Sequence, residues 1–101
     1  MRYQRVLWRH SFPTEPVVLY SECDDQGWEV RKVEVFADGT MTFAGEQEST
    51  GSTGLGEVPV PPLAEIAKDP QFEPTAITKE EFEVIWDKAR QPYQRRLKKA
   101  Q

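Results

Sequence analysis

The first half of the chain alternates apolar and polar residues with a period of two, which is typical of β-strands that bury one face. Asp24–Gly27 and Asp38–Gly39 supply the polar, glycine-containing turns expected of β-hairpins. The pattern predicts four strands, over residues 2–10, 17–23, 28–37 and 40–44. Because short turns join antiparallel neighbours, the strands are expected to form a meander.

Two of these strands carry further information. In the first, Val6 and Trp8 indicate that the core face also carries Gln4 and His10. In the third, the alternation of apolar and polar residues shifts by one position across residues 31–32. A β-bulge there would put Trp28, Val30, Val33 and Val35 on one face, and the alternative is a strand covered in part on both faces.

The second half of the chain changes to a helical pattern. Helices are predicted at about residues 62–68 and 79–91, after a polar loop over 45–57. Thr78 and Glu81 form a capping box at the start of the second helix. The apolar stripe of that helix consists of Phe82, Ile85, Trp86 and Ala89. Pro92 is expected to end or kink it before a basic tail over 92–101, and residues 71–77 are expected to be irregular or briefly extended.

Strands first and helices last indicate the α+β class. The expected architecture is an antiparallel four-stranded meander sheet followed by two helices packed on one face. The length of 101 residues fits a single domain spanning 1–101, and 38% hydrophobic residues with 11% aromatics are enough for one ordinary core.

The composition excludes several kinds of site. One cysteine (Cys23) cannot form an internal disulfide, and one histidine (His10) excludes the usual metal sites with two or three histidines. We therefore expect no metal and no cofactor. No apolar run approaches the length of a membrane span, and basic residues at 2, 5 and 9 interrupt any secretory signal, so a cytoplasmic protein is expected.

Charge is distributed unevenly along the chain. The formal net charge is −4, but residues 22–57 carry −7 and residues 88–101 carry +6. An acidic surface suits a partner with a basic surface, and a basic helix suits phosphate groups. Both segments also fit an ordinary solvated surface, and the sequence leaves that choice open.

Several short motifs resemble a known family. They are Trp8-x-His10, Glu15-Pro16, Tyr20-Ser21-Glu22-x-Asp24, Glu29-x-Arg31-Lys32-Val33-Glu34-x-Phe36-x-Asp38-Gly39, Leu55-Gly56-Glu57-Val58-Pro59 and Phe82-x-x-Ile85-Trp86. Over about residues 2–90, the chain resembles a family of small, stand-alone bacterial domains of unknown function. The resemblance implies a bacterial, intracellular, single-domain protein, and it brings no activity or catalytic residue with it.

These motifs concentrate around one hairpin. The candidate protein-binding residues are Tyr20, Glu22, Asp24, Asp25, Glu29, Arg31, Lys32 and Glu34. Glu22 and Arg31 are placed to form a cross-strand ion pair, which favours a structural role for part of the set. The other interpretation is a polar recognition patch.

Three functions are weighed from these observations. The leading hypothesis is a protein-binding domain without enzymatic activity, such as an inhibitor or immunity-type protein that covers a basic surface of its partner. The first alternative is a nucleic-acid-associated protein that uses Arg90, Arg95, Arg96, Lys98 and Lys99. A small enzyme built around His10 and Cys23 is the second alternative. The oligomeric state stays open.

Overall fold

A computed structural model describes residues 1–46, 48–50 and 53–100, with side chains described as far as residue 92. The elements in chain order are β1 (Arg2–Trp8), β2 (Val18–Cys23), β3 (Glu29–Val35), β4 (Met41–Ala44), α1 (Leu63–Ile66), β5 (Phe72–Ala76) and α2 (Lys79–Ala100). The α+β class is confirmed.

The sheet has five antiparallel strands in the order β4-β3-β2-β1-β5, so the prediction of four strands is wrong. The fifth strand lies in the segment predicted to be irregular or briefly extended. Its signal is weak because Pro74 interrupts it, and proline is tolerated only where a strand is at an edge. Ile77 N–H donates to the Tyr3 carbonyl and Arg9 N–H donates to the Gln71 carbonyl. Hydrogen-bonded and non-hydrogen-bonded pairs alternate along antiparallel strands, so Pro74 and Val6 form a non-hydrogen-bonded pair and the nitrogen of Pro74 points away from β1.

The predicted β-bulge exists, but one residue earlier than expected. Glu22 pairs with Arg31 and Cys23 with Glu29, which leaves Val30 as the extra residue. Beyond the bulge the register is regular, and Arg31 therefore shares a face with Val33.

The main hydrophobic core lies between one face of the sheet and α2. It consists of Val33, Phe43, Phe82, Trp86 and Ala89. The capping box at the start of α2 is confirmed, because the Thr78 Oγ1 accepts from the Glu81 N–H and the Glu81 carboxylate accepts from the Thr78 N–H, both at 3.1 Å.

The opposite face of the sheet carries Gln4 and Val6, which are buried as predicted. The chain from residue 53 to α1 lies over this face, and Val60 N–H anchors it by donating to the Gly27 carbonyl at 2.7 Å. Gly27 has a φ of 89°, and a Cβ there would approach the Val60 carbonyl to 3.1 Å. The two helices therefore lie on opposite faces, and the expectation that both pack on one face is wrong.

Helix α2 is longer than the predicted 79–91. It continues through Pro92 to Ala100 and takes in the segment predicted to be a basic tail. A proline inside a helix removes one backbone hydrogen bond. Here the lost bond is the one from residue 92 to the Lys88 carbonyl. Lys88 and Pro92 are both exposed. Among the described residues, no helix is long and apolar enough to cross a membrane.

Candidate binding site

A cavity of about 390 Å³ lies between the second face of the sheet and the segment that crosses it. Gln4, Val6 and Leu19 from β1 and β2 line the sheet side. Val60, Pro61, Ile66 and Phe72 line the side formed by the crossing segment, α1 and β5. The volume lies within the range of cavities that hold small ligands, and most of the wall is apolar.

Gln4 is the most unusual residue of this cavity. Its side chain is fully enclosed, with a relative exposure of 1%, yet its Oε1 has no hydrogen-bond partner among the described residues. Buried amide oxygens are normally paired, since an unmade hydrogen bond in the interior is costly. Gln4 therefore carries an unused hydrogen-bond acceptor next to the cavity.

Among the described residues that line the cavity, the ionisable ones are all carboxylates: Glu29, Glu65 and Asp69. Glu29 has a structural role, because it accepts from Ser21 Oγ at 2.9 Å and from Gly56 N–H at 2.7 Å. Glu65 and Asp69 are exposed, and in each one oxygen is engaged, by Lys68 Nζ at 3.0 Å and by Gln71 N–H at 2.9 Å. The second oxygen of each forms no hydrogen bond within the described part of the chain.

A second polar cluster lies under α2 on the other face, around Arg31. The guanidinium binds Glu22 in a two-pronged arrangement at 2.6 and 2.9 Å and also reaches Glu83 at 2.5 and 3.2 Å. It lies 5.0 Å from the ring centroids of both Phe82 and Trp86. Its hydrogen bonds lower the pKa of the Glu22 and Glu83 carboxyls, and the bonds to Glu22 raise the pKa of Arg31. The predicted Glu22–Arg31 ion pair is present, and its role is structural.

The remaining residues of the predicted patch do not join this cluster. Lys32 lies on the opposite face, 3.7 Å from Glu29 and 3.6 Å from Glu34. Tyr20 packs against the α2 core. The eight residues are therefore divided between two faces and a turn, because neighbouring residues of a strand point to opposite sides.

The hairpin tip holds the other two predicted residues. Asp24 caps the turn, since its Oδ1 accepts from Gln26 N–H at 2.9 Å and Trp28 N–H at 3.0 Å. Asp25 is almost fully exposed and lies 3.4 Å from the amino terminus. Of the two, Asp25 is the one whose side chain is available to a partner.

His10 and Cys23 are far apart, because they lie near opposite ends of β1. His10 Nδ1 accepts from Phe12 N–H at 2.9 Å, which leaves Nε2 to donate to the Pro16 carbonyl at 2.7 Å. Cys23 is fully buried next to Arg2, and burial raises the pKa of its thiol. The structure does not bring the two residues of the enzyme hypothesis together.

The basic residues of the nucleic-acid hypothesis lie on α2. Arg90 pairs with Glu48 at 2.7 Å and lies over the Trp86 ring. The backbone at Arg95, Arg96, Lys98 and Lys99 is helical, and their side chains lie outside the described part of the structure.

A family model for domains of unknown function matches residues 2–91, nearly the whole chain. The chain belongs to the DUF6881 family. This confirms the family expected from the sequence motifs. No curated protein and no solved structure matches the DUF6881 domain described here.

Several motifs that carry the family resemblance hold the structure together. Glu29 and Gly56 fix the crossing segment to the sheet, and a Cβ at Gly56 would approach Glu29 Oε1 to 2.9 Å. Arg31, paired with Glu22 on the sheet, joins the sheet to Glu83 of α2. The cavity itself was missed from sequence. Gln4, a polar residue on the predicted core face of β1, was the one signal that pointed to it.

Proposed function

We propose that this domain binds another protein through the cavity face of the sheet and recognises a basic surface there. The observation that carries the proposal is the charge of that face, where Glu29, Glu65 and Asp69 are the only ionisable residues among the described residues that line the cavity. Opposite charges on two partners accelerate association and disfavour partners of the wrong charge.

The concrete form of the proposal is an inhibitor or immunity-type protein of a bacterial cytoplasm. Such a protein works by covering a functional surface of its partner, and this needs no catalytic group of its own. The net charge of −5 over residues 1–60 supports a basic partner. The surface differs from the predicted hairpin patch, because Glu22 is paired with Arg31 and Arg31 is also paired with Glu83 of α2.

Photo-crosslinking in cells can locate the binding face. A photoreactive amino acid is placed at Val58, which is 70% exposed beside the cavity, and in a separate variant at Val84, which is 59% exposed on α2. We expect a specific crosslinked protein from position 58 and none of it from position 84. Equal crosslinking from both positions, or crosslinking from position 84 alone, would contradict the proposed face.

Charge variants then test the recognition. Glu65→Gln with Asp69→Asn removes two charges from the cavity face, and Glu80→Gln with Asp87→Asn removes two exposed charges from α2 as the matched control. With the crosslinked partner purified, we expect the first pair to slow association and weaken its salt dependence while the control pair does not. Indistinguishable association rates for the two variants would overturn the charge-based recognition.

The continuous helix α2 supports a second candidate function. Because the helix runs on through Pro92, the bases between Lys88 and Lys99 belong to one rod rather than to a separate tail. In a nucleic-acid-binding protein, a titration with double-stranded DNA or RNA would give an affinity that falls steeply with salt. The variant Arg95→Gln/Arg96→Gln/Lys98→Gln/Lys99→Gln should lose that affinity, and no binding by the wild-type chain at low salt would rule this candidate out.

A further inference from the structure

We propose that the cavity beside α1 is a binding site for a guanidinium or ammonium group carried on an apolar stem. This deepens the proposed function, on which it rests for the position and the charge of the face. The same chemistry is found in an arginine or lysine side chain of a partner and in a free aliphatic amine or guanidine, and the test below distinguishes these sources.

The apolar stem is suggested by the walls. Val6, Leu19, Val60, Ile66 and Phe72 surround a space of about 390 Å³. This space is at the small end of ligand cavities, so it fits one side chain or one small organic molecule better than a nucleotide or a lipid. A ligand that covers apolar walls of this kind removes them from water, and this lowers the free energy of the complex.

A hydrogen-bond donor is suggested by Gln4. Its enclosed Oε1 has no partner in the described part of the chain, although Gln4 lines the cavity. Because less than 1 Å² of this oxygen is accessible, the Gln4 side chain has to turn towards the cavity before a ligand N–H can supply the missing hydrogen bond. A purely apolar ligand would leave the oxygen unpaired and would bind less well.

A positive charge is suggested by the carboxylates. Glu65 and Asp69 lie at the α1 side of the cavity, and each has an oxygen that no described donor uses. Lys68 is exposed and paired with Glu65, Lys32 lies 3.7 Å from Glu29, and Arg2 donates to the Val60 carbonyl at 3.0 Å. Asp69 forms no ion pair among the described residues. A cation is therefore attracted, and an anion of the same shape is repelled. Apolar walls, a buried acceptor and an acidic opening together match an alkylguanidinium.

The test is a titration of the full chain followed by NMR, using the backbone amides and the side-chain amide of Gln4. The probes are butylguanidinium, the neutral butylurea of nearly the same shape, and the anionic pentanoate. We expect saturable shifts at Gln4 and Leu19 with butylguanidinium, an affinity about tenfold lower for butylurea, and no saturable shift with pentanoate.

Variants assign the binding to the named groups. Gln4→Met, which keeps the size of the side chain, and Glu65→Gln/Asp69→Asn are each expected to weaken butylguanidinium binding, whereas Glu80→Gln/Asp87→Asn leaves it unchanged. The dispersion of the amide spectrum reports whether each variant is folded. If Gln4→Met fails to fold, the carboxylate pair and its control decide the question alone.

Equal affinity for butylguanidinium and butylurea, or no saturable shift with either, would overturn the inference. A capped Ala-Arg-Ala peptide identifies the source of the group: tighter binding of the peptide than of butylguanidinium assigns the site to a partner's side chain, and weaker binding assigns it to a free small molecule. If probe binding fails while crosslinking at position 58 persists, only this inference falls. If probes bind and crosslinking fails, the protein-binding proposal falls instead.

Discussion

Under the proposed function, Gln4 would serve binding at the expense of stability. Its amide oxygen is buried in an apolar wall without a partner among the described residues, which is unfavourable for the unliganded fold. A protein selected only for stability would carry an apolar residue of similar size at this position.

Replacing Gln4 with methionine should therefore stabilise the protein. We expect the free energy of unfolding to rise by about 1 kcal/mol, because the penalty for the unpaired oxygen is removed while the volume is kept. Urea unfolding measures this difference. A loss of stability of similar size would show that the Gln4 amide makes a favourable interaction in the folded protein.

Arg31 is the opposite case, a residue with four of its five N–H groups in hydrogen bonds to carboxylates. Arg31→Met should lower the free energy of unfolding by about 3 kcal/mol, because it leaves the carboxylate of Glu22, which is 5% exposed, buried without its counter-charge. The double variant Glu22→Leu/Arg31→Met removes both charges and should recover much of the loss. A double variant as unstable as the single one would contradict this explanation.

The same cluster makes stability depend on pH. Arg31 lowers the folded-state pKa of Glu22 and Glu83 below the ordinary 4.5, so these carboxylates stabilise the fold at neutral pH. That contribution is complete above pH 4.5 and is lost as the pH falls through the lowered pKa values. Unfolding curves between pH 7 and pH 3 should therefore show a smaller pH dependence for Glu22→Gln than for the wild type.

Among the elements, the start of α2 is the one whose local structure depends most on a single side chain. Thr78→Ala removes the hydroxyl that accepts from Glu81 N–H, and we expect this to cost about 1 kcal/mol of stability. Thr78→Ser keeps the hydroxyl and is the matched control. Equal losses in thermal unfolding for both variants would assign the effect to the threonine methyl group instead of to the cap.

The elements also show what sequence patterns can predict. The strands β1–β4 and the start of α2 were found because their signals are local: alternation, turn residues and a capping box. β5 was missed because its pairing with β1 spans many residues and Pro74 hides its alternation. Alternation alone puts Arg31 and Lys32 on opposite faces of the sheet. The face on which Glu29 lies depends on the bulge at Val30, which the alternation of apolar residues places only to within a residue.

At the scale of the whole molecule, the two helices that cover the two faces of the sheet differ in how extensively they pack against it. α2 packs its apolar stripe on four strands, whereas α1 has four residues and, among the described elements, contacts β5. The cavity thus lies under the weaker cover. Local opening of that cover requires much less energy than unfolding of the sheet.

Hydrogen exchange should reveal this difference. We expect the amides of Ala67 and its neighbours in α1 to exchange faster than those of Phe82 to Ala89 in α2, and butylguanidinium to slow the α1 amides selectively. Slowing spread evenly over both helices would indicate general stabilisation by the probe and would contradict a site under α1.

The two edges of the sheet bear on how the protein behaves at high concentration in a cell. At one edge, β5 turns the nitrogen of Pro74 outwards, so an approaching strand finds no donor there. At the other, Thr50 already occupies both backbone groups of Phe43, through its N–H and its hydroxyl. Open strand edges are templates for aggregation, and each of these two features removes a backbone group with which a strand of a neighbouring molecule could pair. Under the proposed function, a lower tendency to add strands would suit a domain that has to present its cavity face to a partner.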